Sequence, residues 1–74
     1  MKYITKLKLA AIHLHCDVNN KSTEYMIQFM QDSCKVDLDC VLSYLQLSKE
    51  EHVKLKDEVA DFTSTMVQIE YLYN

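Results

Sequence analysis

The chain contains no glycine, no proline and no tryptophan, and its basic residues are all lysine, with no arginine. Average usage of about 7% Gly and 5% Pro would place roughly nine such residues in a chain of this size. Their absence excludes sheets built on tight hairpins, which need residues at positive φ, and flexible linkers. It also excludes the P-loop, the dinucleotide-binding turn and the nucleophile elbow, each of which needs glycine where backbone turns sharply or approaches a ligand closely. What remains compatible is helices joined by very short connections.

A strong excess of either charge is also lacking. The net charge is −3 at pH 7, and the lysines are scattered. Without arginine there is no bidentate fork for base edges, and without a basic surplus there is little counterion release to drive nucleic-acid binding. Nucleic acid is therefore not the expected partner, except through acidic mimicry of it. No stretch approaches the ~20 apolar residues of a membrane span, so no membrane partner is expected. Lys2, Lys6 and Lys8 ahead of Leu9–Ile12 faintly imitate a signal peptide, but His13 and His15 interrupt the apolar run and no small-residue cleavage site follows. Three cysteines, Cys16, Cys34 and Cys40, are too few and too odd in number for a disulfide framework. A reducing, cytoplasmic setting is expected.

With 74 residues there is room for one domain, 1–74, with one modest core near the lower limit of independent stability. The most strongly patterned stretch is the last third. Leu55, Val59, Phe62, Met66, Ile69 and Tyr73 recur at steps of four and three, an unbroken heptad stripe on one helical face. Ser48 and Glu51 form a capping box at its start. Upstream, residues 3–18 fit two templates. Ile4, Leu7, Ala11, Leu14 and Val18 make a helical stripe, expected to face the core. Ala10, Ile12, Leu14, Cys16 and Val18 alternate as a strand would. Helix is the preferred reading, because a lone strand has nothing else here to pair with.

Asn19 and Asn20 supply a left-handed helix stop. Ser22 or Asn20 caps a second helix, with Tyr25, Met26, Phe29 and Met30 as its buried face, running to about Cys34. Lys35–Val36 is a short joint. Asp37 caps a third helix with Leu38, Val41, Leu42 and Leu45 inward. The expected fold is all-α, three short helices packed on one long C-terminal helix.

The chemistry-bearing residues are sparse. His13, His15, Cys16, Cys34 and Cys40 match no metal-ligand spacing, and the histidines are expected on a polar face. Asp37-Leu38-Asp39 lacks the glycine and the distal glutamate of a calcium loop. Cys16 and His15 are adjacent and so point in different directions on a helix. No metal, cofactor or catalytic residue is assigned, and the chain is not expected to be an enzyme. Asp57, Glu58 and Asp61 form an acidic face on the last helix. Tyr71, Leu72 and Tyr73 cannot all face inward on one helix, and an exposed aromatic suits an interface. These six residues are the expected partner-binding surface.

The polar start Ser48-Lys49-Glu50-Glu51-His52 and the apolar run to Tyr71-Leu72-Tyr73 resemble the second helix of the small helical-hairpin co-chaperones that hold type III secretion needle subunits. The likeness covers a third of the chain, and neither membership nor any residue role is carried over from it. The functional expectation is a small module that binds a partner protein as inhibitor, adaptor or co-chaperone. Lysine without arginine, with frequent Asn, Ile and Tyr, points to an AT-rich genome and hence to a bacterial, phage or viral regulator. The alternatives are a homodimer assembled through the C-terminal heptad helix and an acidic nucleic-acid mimic.

Overall fold

Three of the four helices begin at a side chain that accepts a hydrogen bond from an otherwise orphaned amide. The structure, a computed structural model, describes the backbone of residues 1–73 and the side chains of residues 1–61. Its elements are α1 (Tyr3–Val18), α2 (Thr23–Cys34), α3 (Leu38–Leu45) and α4 (Lys49–Tyr73). The Tyr25 N–H donates to the Ser22 hydroxyl at 3.1 Å, the Cys40 N–H to the Asp37 carboxylate at 2.9 Å, and the Glu51 N–H to the Ser48 hydroxyl at 3.2 Å. All three caps are those the sequence predicts. Residues 3–18 are helical, and no strand is found among the described residues.

The helix ends are set by two non-glycine residues in the left-handed region. Asn20 (φ 53°) ends α1. The Lys21 N–H donates to the Cys16 carbonyl at 2.9 Å and the Asn20 N–H to the Asp17 carbonyl at 3.3 Å, the paired bonds of a Schellman stop. Lys35 (φ 53°) ends α2 in the same way, with the Val36 N–H reaching the Gln31 carbonyl at 3.3 Å. Asn tolerates this conformation through its short polar side chain, whereas Lys at φ > 0 carries the full steric cost of its Cβ.

The core combines Leu9, Ala10, Ile12 and Cys16 of α1 with Met26 and Met30 of α2, Val41 and Tyr44 of α3, and Leu55 and Val59 of α4. α1 packs against all three other helices, and α2 also against α3. Among the described residues the shared helix is therefore α1, and the backbone of α4 approaches α1 alone. Leu55 and Val59 are buried as the heptad stripe requires; Phe62, Met66, Ile69 and Tyr73 have side chains outside the described residues. At 1.5 Å per residue, 25 residues of α4 measure about 37 Å, close to the molecule's 39 Å long axis.

The inward faces depart from expectation at three helices. On α1, Leu9, Ile12 and Cys16 point inward, whereas Ile4 and Val18 are 57% and 73% exposed. The helix is apolar on two sides, so periodicity alone does not choose between them. On α2, Met26 and Met30 are buried, Phe29 is half-buried and Tyr25 is exposed, its ring lying 5.2 Å from the Lys21 ammonium. On α3, Val41 and Tyr44 are buried while Leu38 and Leu42 are exposed. The rotation of α3 follows from Tyr44, whose hydroxyl finds its partner on α1.

Candidate functional site

Where α1, α3 and α4 meet, the apolar core gives way to a chain of polar contacts. Tyr44, on the inner face of α3, is fully buried, and a buried phenol needs a partner for its hydroxyl. That partner is His13 of α1, whose Nδ1 lies 2.9 Å from the Tyr44 Oη. On the far side of the imidazole, Nε2 faces the Asp17 carboxylate at 3.6 Å, one turn along α1. Lys56 of α4 donates to the same carboxylate oxygen at 2.8 Å.

The proton placement follows from the partners. An ionised carboxylate only accepts, so the ring hydrogen is assigned to Nε2, and Nδ1 accepts from the Tyr44 hydroxyl. Burial pushes the Tyr44 phenol well above its ordinary value, with Asp17 adding to the effect, so Tyr44 remains the donor. Burial also lowers the His13 pKa; Lys56 and His52 push the same way and Asp17 opposes them. Asp17 is held below the usual carboxylate range by the hydrogen bond from Lys56, against a smaller effect of burial. The neutral imidazole is thus the form that fits.

His52, in the first turns of α4, completes the cluster. Its ring stands edge-on to Tyr44 (centroids 4.8 Å apart) and to His13 (5.6 Å). Its Nδ1 is buried and has no hydrogen-bond partner among the described residues. None of the contacts joining His13, Tyr44 and His52 was predicted from the sequence. The expectation that the histidines lie on a polar face holds for His15, which is exposed, and fails for His13, which is not. The signal available is weak: a tyrosine outside the expected stripe of α3 and a histidine 31 positions earlier.

The cysteines are free thiols, Cys16 buried and Cys34 and Cys40 half-buried; burial raises the thiol pKa of Cys16 and Cys34, which suppresses nucleophilic reactivity. Among the described residues no group of three or more His, Cys, Asp or Glu side chains is placed to hold a metal ion, and no helix is long and apolar enough to cross a membrane. An open groove between the start of α1 and α4 is lined by Tyr3, Lys6, Glu51, Lys54 and Leu55.

The predicted acidic face falls on the described half of α4. Asp57 and Asp61 are exposed and Glu58 is half-buried. At 100° per residue Asp57 and Asp61 lie within about 40° of each other and on the opposite side of α4 from Leu55 and Val59. The side chains of Tyr71, Leu72 and Tyr73 lie outside the described residues. No protein-family model matches the chain, and neither a curated protein nor a solved structure matches it.

Proposed function

We propose that this chain is a non-catalytic protein-binding module that docks on a partner protein and inhibits, adapts or protects it. The observation that most supports this reading is the outer side of α4, where Asp57 and Asp61 stand one turn apart and exposed while Leu55 and Val59 hold the opposite side in the core. A helix anchored on one side and charged on the other presents a rigid edge, on which little order is lost at binding. Glu58 borders this edge, and the proposal takes Tyr71, Leu72 and Tyr73 as further partner-binding residues. In the fuller form of the proposal, the outer edge of α4 meets a basic partner in the cytoplasm.

The test is affinity capture with the full chain on a lysate of its source organism. One protein retained at one-to-one stoichiometry by the native chain, and lost with the Asp57→Lys/Asp61→Lys and Tyr71→Ala variants at unchanged helicity, is the expected result. Equal retention by native chain and variants, or retention of nothing, contradicts the proposal.

A further inference from the structure

We propose that Cys34 and Cys40 form a reversible disulfide that locks the corner between α2 and α3, with Cys40 as the attacking thiol and Cys34 as the resolving one. Cys34 is the last residue of α2, and Cys40 stands in the first turn of α3. Between the two helices the chain has only Lys35, Val36 and Asp37. Lys35 turns it at φ 53°, and the Val36 N–H returns to the Gln31 carbonyl at 3.3 Å. The Asp37 carboxylate accepts from the Cys40 N–H at 2.9 Å. Both sides of the corner are thus pinned by hydrogen bonds, one of them at the backbone of the attacking residue.

The two thiols lie on the same side of this corner. Cys34, Val36 and Cys40 are half-buried and pack against one core, so neither thiol is enclosed as Cys16 is, and neither is turned fully out to solvent. They are near enough that charge on Cys40 raises the pKa of Cys34, with Lys8 of α1 opposing that effect. Among the described residues no third His, Cys, Asp or Glu joins them in a metal-holding group. The chemistry open to the pair is that of a dithiol.

The oxidant is a small-molecule disulfide of the glutathione class. The Cys40 thiolate attacks one of its sulfurs, forming a mixed disulfide and releasing one glutathione thiolate. The Cys34 thiolate then attacks the Cys40 sulfur and displaces the second glutathione. Two protein thiols are oxidised, one glutathione disulfide is reduced to two glutathione thiols, and the protons pass to the released thiolates. Burial slows Cys34 as a first attacker. In the second step its target already stands beside it, so the attack is intramolecular. Closing so short a loop constrains the unfolded chain only modestly, which keeps the bridge reversible. The proposal does not rest on the acidic edge of α4.

The test equilibrates the full chain with oxidised and reduced glutathione near neutral pH, with and without denaturing urea, and reads the acid-quenched products by mass spectrometry with peptide mapping. The expected product is a chain lighter by two hydrogens, bridged between Cys34 and Cys40 with Cys16 free, and restored by excess reduced glutathione. The equilibrium constant for the bridge against glutathione should be about tenfold or more larger in the folded chain than in urea, because folding already holds the thiols together. Cys34→Ser should stop at the glutathione adduct of Cys40. A constant equal or smaller in the folded chain overturns the proposal, since the corner then does not present the thiols for bridging. So does a bridge to Cys16, a disulfide-linked pair of chains, or glutathione adducts without a bridge. A Cys40 that takes up no glutathione in the Cys34→Ser chain overturns it as well.

Discussion

The Tyr44 hydroxyl lies 2.9 Å from His13 Nδ1 and joins the inner face of α3 to α1 through the one polar group on a fully buried ring. Removing the hydroxyl leaves the ring packing in place and the imidazole nitrogen without its donor. Tyr44→Phe should therefore cost about 1–2 kcal/mol, the penalty for orphaning a buried acceptor. Urea unfolding checks this: the midpoint should fall with the m-value unchanged.

Stability should fall as the solution is acidified, in two windows. The folded-state pKa of His13 is depressed below 6.5, so below that pH the unfolded chain takes up a proton that the folded chain resists. The stabilisation from the neutral ring is complete above pH 6.5 and lost progressively until the pH passes the folded value. Asp17 is depressed below 3.8; its contribution is present above that pH and is lost as the pH falls through its folded value. Charged His13 would stand beside Lys56 and His52, with only Asp17 as compensation. Unfolding free energies between pH 7.5 and 5 should decline for the native chain and decline less for His13→Gln. Equal slopes would assign the loss to other groups.

The two apolar sides of α1 should differ sharply on truncation. Leu9 is fully buried and Ile4 is 57% exposed. Leu9→Ala should cost about 2–5 kcal/mol, and Ile4→Ala about 0.5 kcal/mol or less. Measured at a concentration where the chain is monomeric, the reverse order would mean that the stripe, and not Leu9, faces the core.

Much of this fold was legible because it is locally encoded. Ser22, Asp37 and Ser48 are caps that local sequence predicts, Asn20 is part of a predicted left-handed stop, and Leu55 and Val59 open the inward stripe of α4. What escaped was set by contacts distant in sequence. A helix apolar on two sides does not announce which one is inner, and α1 turns Leu9 inward where the regular stripe favours Ile4 and Val18. Tyr44 displaced Leu38 and Leu42 from the core because its hydroxyl has a partner on α1, a pairing no local pattern records. Of the candidate interface, the acidic edge at Asp57 and Asp61 was legible as the polar side of a patterned helix.

Lys35 offers a separate check on the backbone. It holds φ 53° with a Cβ, a conformation that costs a non-glycine residue about 1–2 kcal/mol. Lys35→Gly relieves that strain but loosens the unfolded chain. A net stabilisation of about 1 kcal/mol or less is expected by thermal unfolding. Clear destabilisation would show that Lys35 does not occupy the left-handed region.

The most direct test of the link between α1, α3 and α4 is the titration of the His13 imidazole followed by NMR in the native chain. The expected midpoint lies below 6.5, reflecting a ring buried against Tyr44 with Lys56 and His52 beside it. A midpoint at or above 6.5 would mean that the ring is solvated or governed by Asp17 alone, and would contradict the polar link on which the packing of these three helices rests.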